Sequence, residues 1–337
     1  MFVRESWYLA AWSGEIDGKP TQRWLLGEPV LFYRKGDGGV VAMDDRCPHR
    51  LVPLSMGTLV GDNIRCIYHG ALFSPDGRCV SIPGQAVGDA KGARIYSTTE
   101  CWGGIWIWMG NAATADTAKL PGAALLESPG WRAIRGLLPC AADYGLTVDN
   151  LLDLSHEAYL HPRTIGTDEV AKIAVKTTVV NDCVVVARVM EDVPPPPLFI
   201  KARGKATNID RYQTVTATLP SFVTVDVKAT DVGNPDEEGA LEWIVMFFMT
   251  PERAGQTHYF FAVTRNFALG SDEVDEVLLN GSLETVREDI EILEAQERMV
   301  ADRPLASRTL FTRYDGAPDR ARAIVRKMVE REASAAA

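Results

Sequence analysis

Between residues 7 and 110, apolar and polar positions alternate in short runs broken by turn residues, the period-2 pattern of antiparallel strands. Val30-Leu31-Phe32-Tyr33 and Val40-Val41-Ala42-Met43 flank Lys35-Gly36-Asp37-Gly38-Gly39 and predict a hairpin. Pro75-Asp76-Gly77-Arg78 predicts another turn, and residues 103–109 a half-buried strand. Ala, Gly, Pro and Thr crowd residues 111–130, so two domains are expected, 1–115 and 116–337. In the second, strands are expected at 175–189, 215–227, 241–249 and 258–263, with Pro194 to Pro197 as an exposed, extended loop. The period then changes to that of a helix. A long one is expected over 271–301, with Ser271 as N-cap and Val286, Ile290 and Leu293 as its buried stripe; a shorter one follows over 319–332. Residues 335–337 are expected to fray. The pattern is that of an α+β protein, antiparallel β first.

The 337 residues are 46% hydrophobic, ample for cores in about two domains. No apolar run approaches the roughly 18 residues a membrane span requires. Arg4, Glu5 and Glu15 bound the apolar stretch Trp7 to Trp12 too closely for a signal-peptide core, so a cytoplasmic protein without a membrane partner is expected. A net charge of −10 argues against nucleic acid as a partner. Six irregularly spaced cysteines are not a secreted disulfide framework, and Cys79, Cys101, Cys140 and Cys183 read as ordinary buried thiols.

Cys47-Pro48-His49-Arg50 and Cys66-Ile67-Tyr68-His69 are different: each supplies one thiol and one imidazole. A Rieske [2Fe-2S] centre uses two cysteines on one iron and two histidines on the other, which raises its potential to roughly −150 to +300 mV. Zinc sites also use Cys₂His₂, but zinc fingers group like ligands rather than interleave them. Cys47, His49, Cys66 and His69 are therefore the expected cluster ligands, with Pro48, Gly57 and Gly70 suiting tight loops around them.

A second constellation lies in Asp149-Asn150-Leu151-Leu152-Asp153-Leu154-Ser155-His156-Glu157-Ala158-Tyr159-Leu160-His161-Pro162. On a continuous helix Asp149, Asp153 and His156 would share one face. Pro162 disfavours helix at His161, so the second imidazole can swing toward the first. The spacing is one residue too long for the metalloprotease H-E-x-x-H motif. Two histidines and one carboxylate make the facial triad of non-haem Fe(II) oxygenases, with positions open for O₂. Periodicity nominates Asp289, which lies on the apolar stripe of the long helix where an uncompensated carboxylate would be costly. Glu297 is the second choice; Glu284, Glu288 and Glu291 point to other faces and Glu294 is marginal.

With both motifs present, the chain resembles over nearly its full length the oxygenase component of the Rieske non-haem iron oxygenases. The carrying strings are Cys47-Pro48-His49-Arg50, Pro53-Leu54-Ser55 with Gly57, Cys66 with Tyr68-His69-Gly70, and Asp149 through His161. Within that family it looks most like the aromatic O-demethylases of the vanillate and dicamba type; Ile67 stands where they generally have proline. The resemblance implies a C-terminal helix-grip domain, a curved antiparallel sheet around the long helix, and a head-to-tail homotrimer. It implies that Asp153 bridges His156 to a cluster histidine of the neighbouring subunit, His69. It implies substrate contacts at His258, in His258-Tyr259-Phe260-Phe261, and at Asn150. The implied reaction uses O₂ and electrons from NADH, delivered by a separate flavin- or ferredoxin-type reductase, to demethylate a small methoxylated aromatic acid with release of formaldehyde. No nucleotide-binding fingerprint appears in the chain, consistent with a separate reductase. Ring hydroxylation or N-demethylation on the same scaffold is one alternative, and a Rieske electron carrier without mononuclear iron is another.

Overall fold

The computed structural model describes residues 1–236 and 240–335. Two compact units result: one of Phe2–Pro121 with Thr250–Ala254, the other of Gly122–Met249 with Gly255–Ala337 and the first residue. Of the expected frayed tail, residues 336 and 337 lie outside the described residues.

The first unit is built from ten short strands: β1 (Trp7–Trp12), β2 (Thr21–Leu25), β3 (Glu28–Arg34), β4 (Val40–Asp44), β5 (Thr58–Val60), β6 (Asn63–Arg65), β7 (Leu72–Phe73), β8 (Cys79–Ser81), β9 (Ser97–Cys101) and β10 (Gly104–Trp108). They form three small sheets, ordered β1-β10-β9, β2-β3-β4 and β5-β6-β7-β8. The β3–β4 hairpin is as expected, with Phe32 opposite Ala42. β10 is buried throughout rather than half-buried, because β1 and β9 flank it on both sides. Leu31, Tyr33, Val41, Met43, Ile64 and Phe73 pack around Cys47 and Cys66, so the two sulfurs sit in the hydrophobic core.

The second unit carries a seven-stranded antiparallel sheet. Its strands are β11 (Arg132–Cys140), β12 (Lys176–Val180), β13 (Cys183–Val193), β14 (Ile209–Thr218), β15 (Phe222–Asp231), β16 (Leu241–Arg253) and β17 (Gln256–Arg265). The order β11-β17-β16-β15-β14-β13-β12 is a meander closed by the return of β17 to β11. The stretches expected as single strands at 175–189 and 215–227 are each split by a reversal, at Asn181-Asp182 and at Leu219-Pro220-Ser221. The helices are α1 (Tyr144–Leu152), α2 (Glu157–Leu160), α3 (Pro197–Arg203), α4 (Asp272–Asp302) and α5 (Gly316–Ala335).

Of the four prolines, Pro194 is exposed as expected and the other three are not. Pro195 and Pro196 are buried, and Pro197 opens α3 at a position where its missing N–H costs no helical hydrogen bond. In α4 the Ser271 hydroxyl accepts from the Val274 N–H at 3.2 Å, and Asp272, Glu273 and Asp275 crowd the positive end of the helix dipole. The buried stripe of α4 is Leu278, Val286, Asp289 and Leu293; Ile290 is only half-buried. No helix among the described residues is long and apolar enough to cross a membrane. All six cysteines are free, and of the four read as buried thiols only Cys140 is buried.

Candidate functional site

Two tight loops in the first unit bring one thiol and one imidazole each to a common place. In the first, the Leu51 N–H donates to Cys47 O and the Cys47 N–H to Val52 O, both at 2.9 Å. In the second, the Gly70 N–H donates to Cys66 O at 3.0 Å and the Cys66 N–H to Ala71 O at 2.8 Å. Gly70 adopts φ +74, a left-handed conformation that favours glycine. A Cβ at Gly57 would lie 2.1 Å from the Arg65 carbonyl, so only glycine lets the strands behind the loops approach so closely.

Cys47 and Cys66 are each 2% exposed, whereas His49 and His69 lie at the surface with ring centroids 4.7 Å apart. Burial pushes the Cys47 thiol up and the adjacent Cys66 sulfur adds to the rise; backbone N–H groups of His49 and Arg50 pull the other way. Such N–H donors stabilise anionic sulfur. Two buried thiols from these loops, together with two exposed imidazoles from the same loops, are a Cys₂His₂ donor set that fits a Rieske [2Fe-2S] cluster.

The second group lies where α1, α2 and α4 meet. α1 ends at Leu152, and Asp153 caps the short turn Leu154–His156, its carboxylate accepting from the Ser155 N–H at 3.0 Å and hydroxyl at 2.6 Å. This break invalidates the continuous helical face expected for Asp149, Asp153 and His156. Asp149 instead turns to Arg322 of α5, and burial pushes its carboxyl up to about 7. The chain leaves α2 at His161, as Pro162 requires. The Gly166 N–H donates to His161 O at 2.8 Å, and a Cβ there would fall 2.0 Å from the Glu157 carbonyl.

His156 Nδ1 lies 2.6 Å from the Asp153 carbonyl, and His161 Nδ1 lies 2.8 Å from Glu288 Oε2. The Asp153 carbonyl can only accept, so His156 Nδ1 carries the hydrogen and its Nε2 is left as the ligating atom; Glu288 anchors His161 Nδ1 in the same way and leaves its Nε2 toward Asp289. Those atoms converge on Asp289 Oδ1, at 3.3 Å from His156 and 3.1 Å from His161. One donor atom from each of the three lies within 4.8 Å of the others. Burial acts to raise the Asp289 carboxyl, but the two imidazoles outweigh it and hold it down at about 2. Burial likewise opposes protonation of both imidazoles, and Asp289 more than offsets it.

Two ring nitrogens and a buried carboxylate, with both outer nitrogens anchored, are a donor set suited to a first-row metal with open positions. The surroundings fit as well. Asn150 Nδ2 donates to Asp289 Oδ1 at 3.1 Å, while Asn150 Oδ1 is buried without a hydrogen-bond partner, where a metal-bound water could donate. The fallback Glu297 is occupied elsewhere, accepting from the Asp143 N–H at 2.9 Å at the entry to α1; Glu294 does the same for Ala141.

Glu288 was expected to face away from this group, yet it orients His161 and pairs with Arg163 at 3.0 Å. Its adjacency to Asp289 is the only sequence signal that could have flagged it. Carboxylates that hold a ligating histidine typically matter 10- to 100-fold, roughly, in metal affinity. Glu288→Ala should therefore weaken cobalt(II) binding at the mononuclear site by about that factor in a spectroscopic titration. Unchanged affinity would show that the ring is held by packing alone.

A cavity opens beside the triad, lined on the sheet side by Val225, Val227, Trp243, Val245 and Phe247. Asn150 lines it. His258 does not. Strand alternation puts it on the opposite face of β17 from Tyr259, whose ring meets the cavity-lining Phe247 at 5.8 Å; His258 lies opposite Pro139, half-buried. Leu198 and Phe199 of α3, which the proline run concealed in the sequence, also line the cavity.

Residues 140–331 match the vanillate O-demethylase oxygenase C-terminal domain, and residues 6–97 match the Rieske [2Fe-2S] domain. The chain is 34% identical over 307 residues to a vanillate O-demethylase oxygenase subunit from Pseudomonas sp. strain HR199, covering 88% of this chain and 87% of the relative. It is 36% identical over 323 residues to the toluene-4-sulfonate monooxygenase system iron-sulfur subunit TsaM1 of Comamonas testosteroni, covering 90% and 92%. Among solved structures, dicamba monooxygenase bound to 3,6-dichlorosalicylic acid superimposes with a TM-score of 0.93 at 32% identity, covering 98% of this chain and 99% of that one.

Proposed function

The chain belongs to the Rieske non-haem iron oxygenases, as an oxygenase component that joins a Rieske domain to a vanillate O-demethylase-type domain, and we propose that it removes the methyl group of a methoxylated aromatic acid. The observation that carries this reading is the convergence of His156, His161 and Asp289 on one point beside an apolar cavity.

In this reading Cys47, Cys66, His49 and His69 would hold a Rieske [2Fe-2S] cluster, which when bound would store and pass on electrons. His156, His161 and Asp289 would hold a mononuclear Fe(II), which when bound would supply the activation of O₂. The remaining chemistry belongs to the chain. The Asp153 carbonyl and Glu288 keep both imidazoles in the ligating tautomer. Val225, Val227 and Trp243 exclude water and bring the substrate ring to the metal side of the cavity. Asn150 orients Asp289 from that cavity. Hydroxylation of the methoxy carbon gives a hemiacetal, which collapses to a phenol and formaldehyde.

Electrons originate in NADH and arrive through a separate flavin- or ferredoxin-type reductase. The subunits are proposed to form a homotrimer in which His69 of one copy approaches Asp153 of the next. The free carboxylate oxygen of Asp153 suits that bridge, since only the other oxygen is engaged by Ser155.

A panel of methoxybenzoates, incubated with NADH, a reductase and O₂, should yield formaldehyde in proportion to NADH consumed. Hydroxylated product without formaldehyde would reassign the reaction to ring hydroxylation, and formaldehyde from N-methyl substrates alone would reassign it to N-demethylation.

A further inference from the structure

On the buried face of β13, Val184, Val186 and Met190 are joined by one guanidinium, that of Arg188. Arg188 is 6% exposed, and an apolar side chain in its place would be cheaper to bury. What an apolar side chain lacks is direction. The three nitrogens of Arg188 reach three separate stretches of chain: Nε donates to Gln213 Oε1 at 2.7 Å, Nη1 to Val170 O at 3.1 Å and Nη2 to Leu154 O at 3.1 Å. The planar guanidinium holds its donors in one fixed fork, which suits it to such a task.

Leu154 lies in the turn that follows α1, and that turn serves the site twice. The Asp153 carbonyl anchors His156 Nδ1 at 2.6 Å, and the Asp153 carboxylate is the proposed bridge to the neighbouring subunit. Yet α1 has ended at Leu152, and residues 153–156 are all only half-buried, so neither a continuing helix nor full burial fixes them. A small cavity lies beside the turn, lined by Asp153 and Ser155 of the turn and by Val186 and Val215 of the sheet. Polar side chains of the sheet hold the turn instead. Arg188 holds Leu154 O, which also accepts from the Glu157 N–H, and Gln213 Nε2 holds Glu157 Oε1 at 2.6 Å. Gln213 pairs with Arg188 in the β13–β14 ladder and the two side chains are bonded to each other, so they act as one strut.

We infer that Arg188 is a positioning residue: through Leu154 O, and with Gln213 through Glu157, it fixes the turn that presents His156 to the metal and Asp153 to the neighbouring subunit. The inference rests on the proposed reading of His156 as a metal ligand and of Asp153 as the bridge. It assigns Arg188 no contact with substrate or metal.

Hydrogen-deuterium exchange on the full-length protein, together with cobalt(II) titration of the emptied mononuclear site, tests this on Arg188→Met and Arg188→Lys. The control is Arg203→Met, which removes a guanidinium paired with Asp231 elsewhere in the same unit. In Arg188→Met the amides of residues 153–157 should exchange at least about tenfold faster, with the rest of the unit unchanged. Its cobalt(II) affinity should fall about tenfold, the lower end of the range for groups that orient a ligating histidine. Arg188→Lys keeps the charge but cannot span three acceptors, and should lie between. Arg203→Met should match the wild type in both readings. If Arg188→Met fails to fold, Arg188→Lys decides by the same two readings. Wild-type exchange at residues 153–157 in the Arg188 variants, or an equal rise in Arg203→Met, would overturn the inference. So would faster exchange with unchanged cobalt(II) affinity, because the turn would then move without the ligand. The exchange reading needs no metal, so a wild type that binds no cobalt(II) would refute the metal centre while exchange still decides whether Arg188 holds the turn. Normal turnover by Asp153→Asn would refute the bridge alone.

Discussion

Asp289→Ala should abolish turnover and lower the iron content by one per chain, while the visible spectrum of the cluster survives. A carboxylate on the apolar stripe of a helix is tolerated only when something compensates its charge. Asp289 is 4% exposed and finds its compensation in His156 and His161. Alanine removes one ligand of three and leaves two imidazoles still anchored through Asp153 and Glu288, so the fold survives but the metal does not. Asp289 belongs to the second unit and the cluster loops to the first, so the cluster has no reason to change. An active variant that retains all its iron would show that the carboxylate ligand lies elsewhere.

Cys66→Ser should do the reverse, bleaching the cluster and stopping turnover with reductase while the mononuclear iron stays. A serine hydroxyl does not ionise near neutral pH and cannot replace a thiolate in a cluster held by anionic sulfur. Cys66 is also part of the hydrophobic core with Ile64 and Phe73, so the substitution places a hydroxyl in an apolar setting and should reduce the stability of the first unit. The check is the visible absorbance and the reduced-state paramagnetic resonance signal, read beside metal analysis. Retention of a normal cluster signal would remove Cys66 from the ligand set.

Much of this arrangement could be read in the sequence because the relevant signals are local. The paired Cys and His of each loop sit within four residues of one another, and Pro162 fixes where the helix must stop. The Ser271 cap and the stripe through Val286 and Leu293 located α4 to within one residue at each end and singled out Asp289. What failed depended on tertiary partners. Asp149 looked like a member of the metal face until α5 supplied Arg322. Glu288 looked like a surface acid until His161 folded onto it. His258 lay in a promising string, but the parity of β17 puts it on the strand face opposite Tyr259, and the cavity beside the triad is not lined by it. Pro194 to Pro197 looked incompatible with a helix because Pro197 at the first helical position is the exception that composition alone does not reveal. Glu157, placed only as part of a rejected protease motif, became informative once β13 and β14 brought Arg188, Gln213 and Arg211 around it.

On the proposed function, this chain holds a second metal centre, so that electrons stored in the cluster have a destination within the enzyme. Iron and acid-labile sulfide counted on the purified, iron-replete wild type test it most directly. About three irons with two sulfides per chain are expected from one [2Fe-2S] cluster and one mononuclear site. Two irons with two sulfides, unchanged by Asp289→Ala, would make the protein an electron carrier and contradict the assignment of His156, His161 and Asp289.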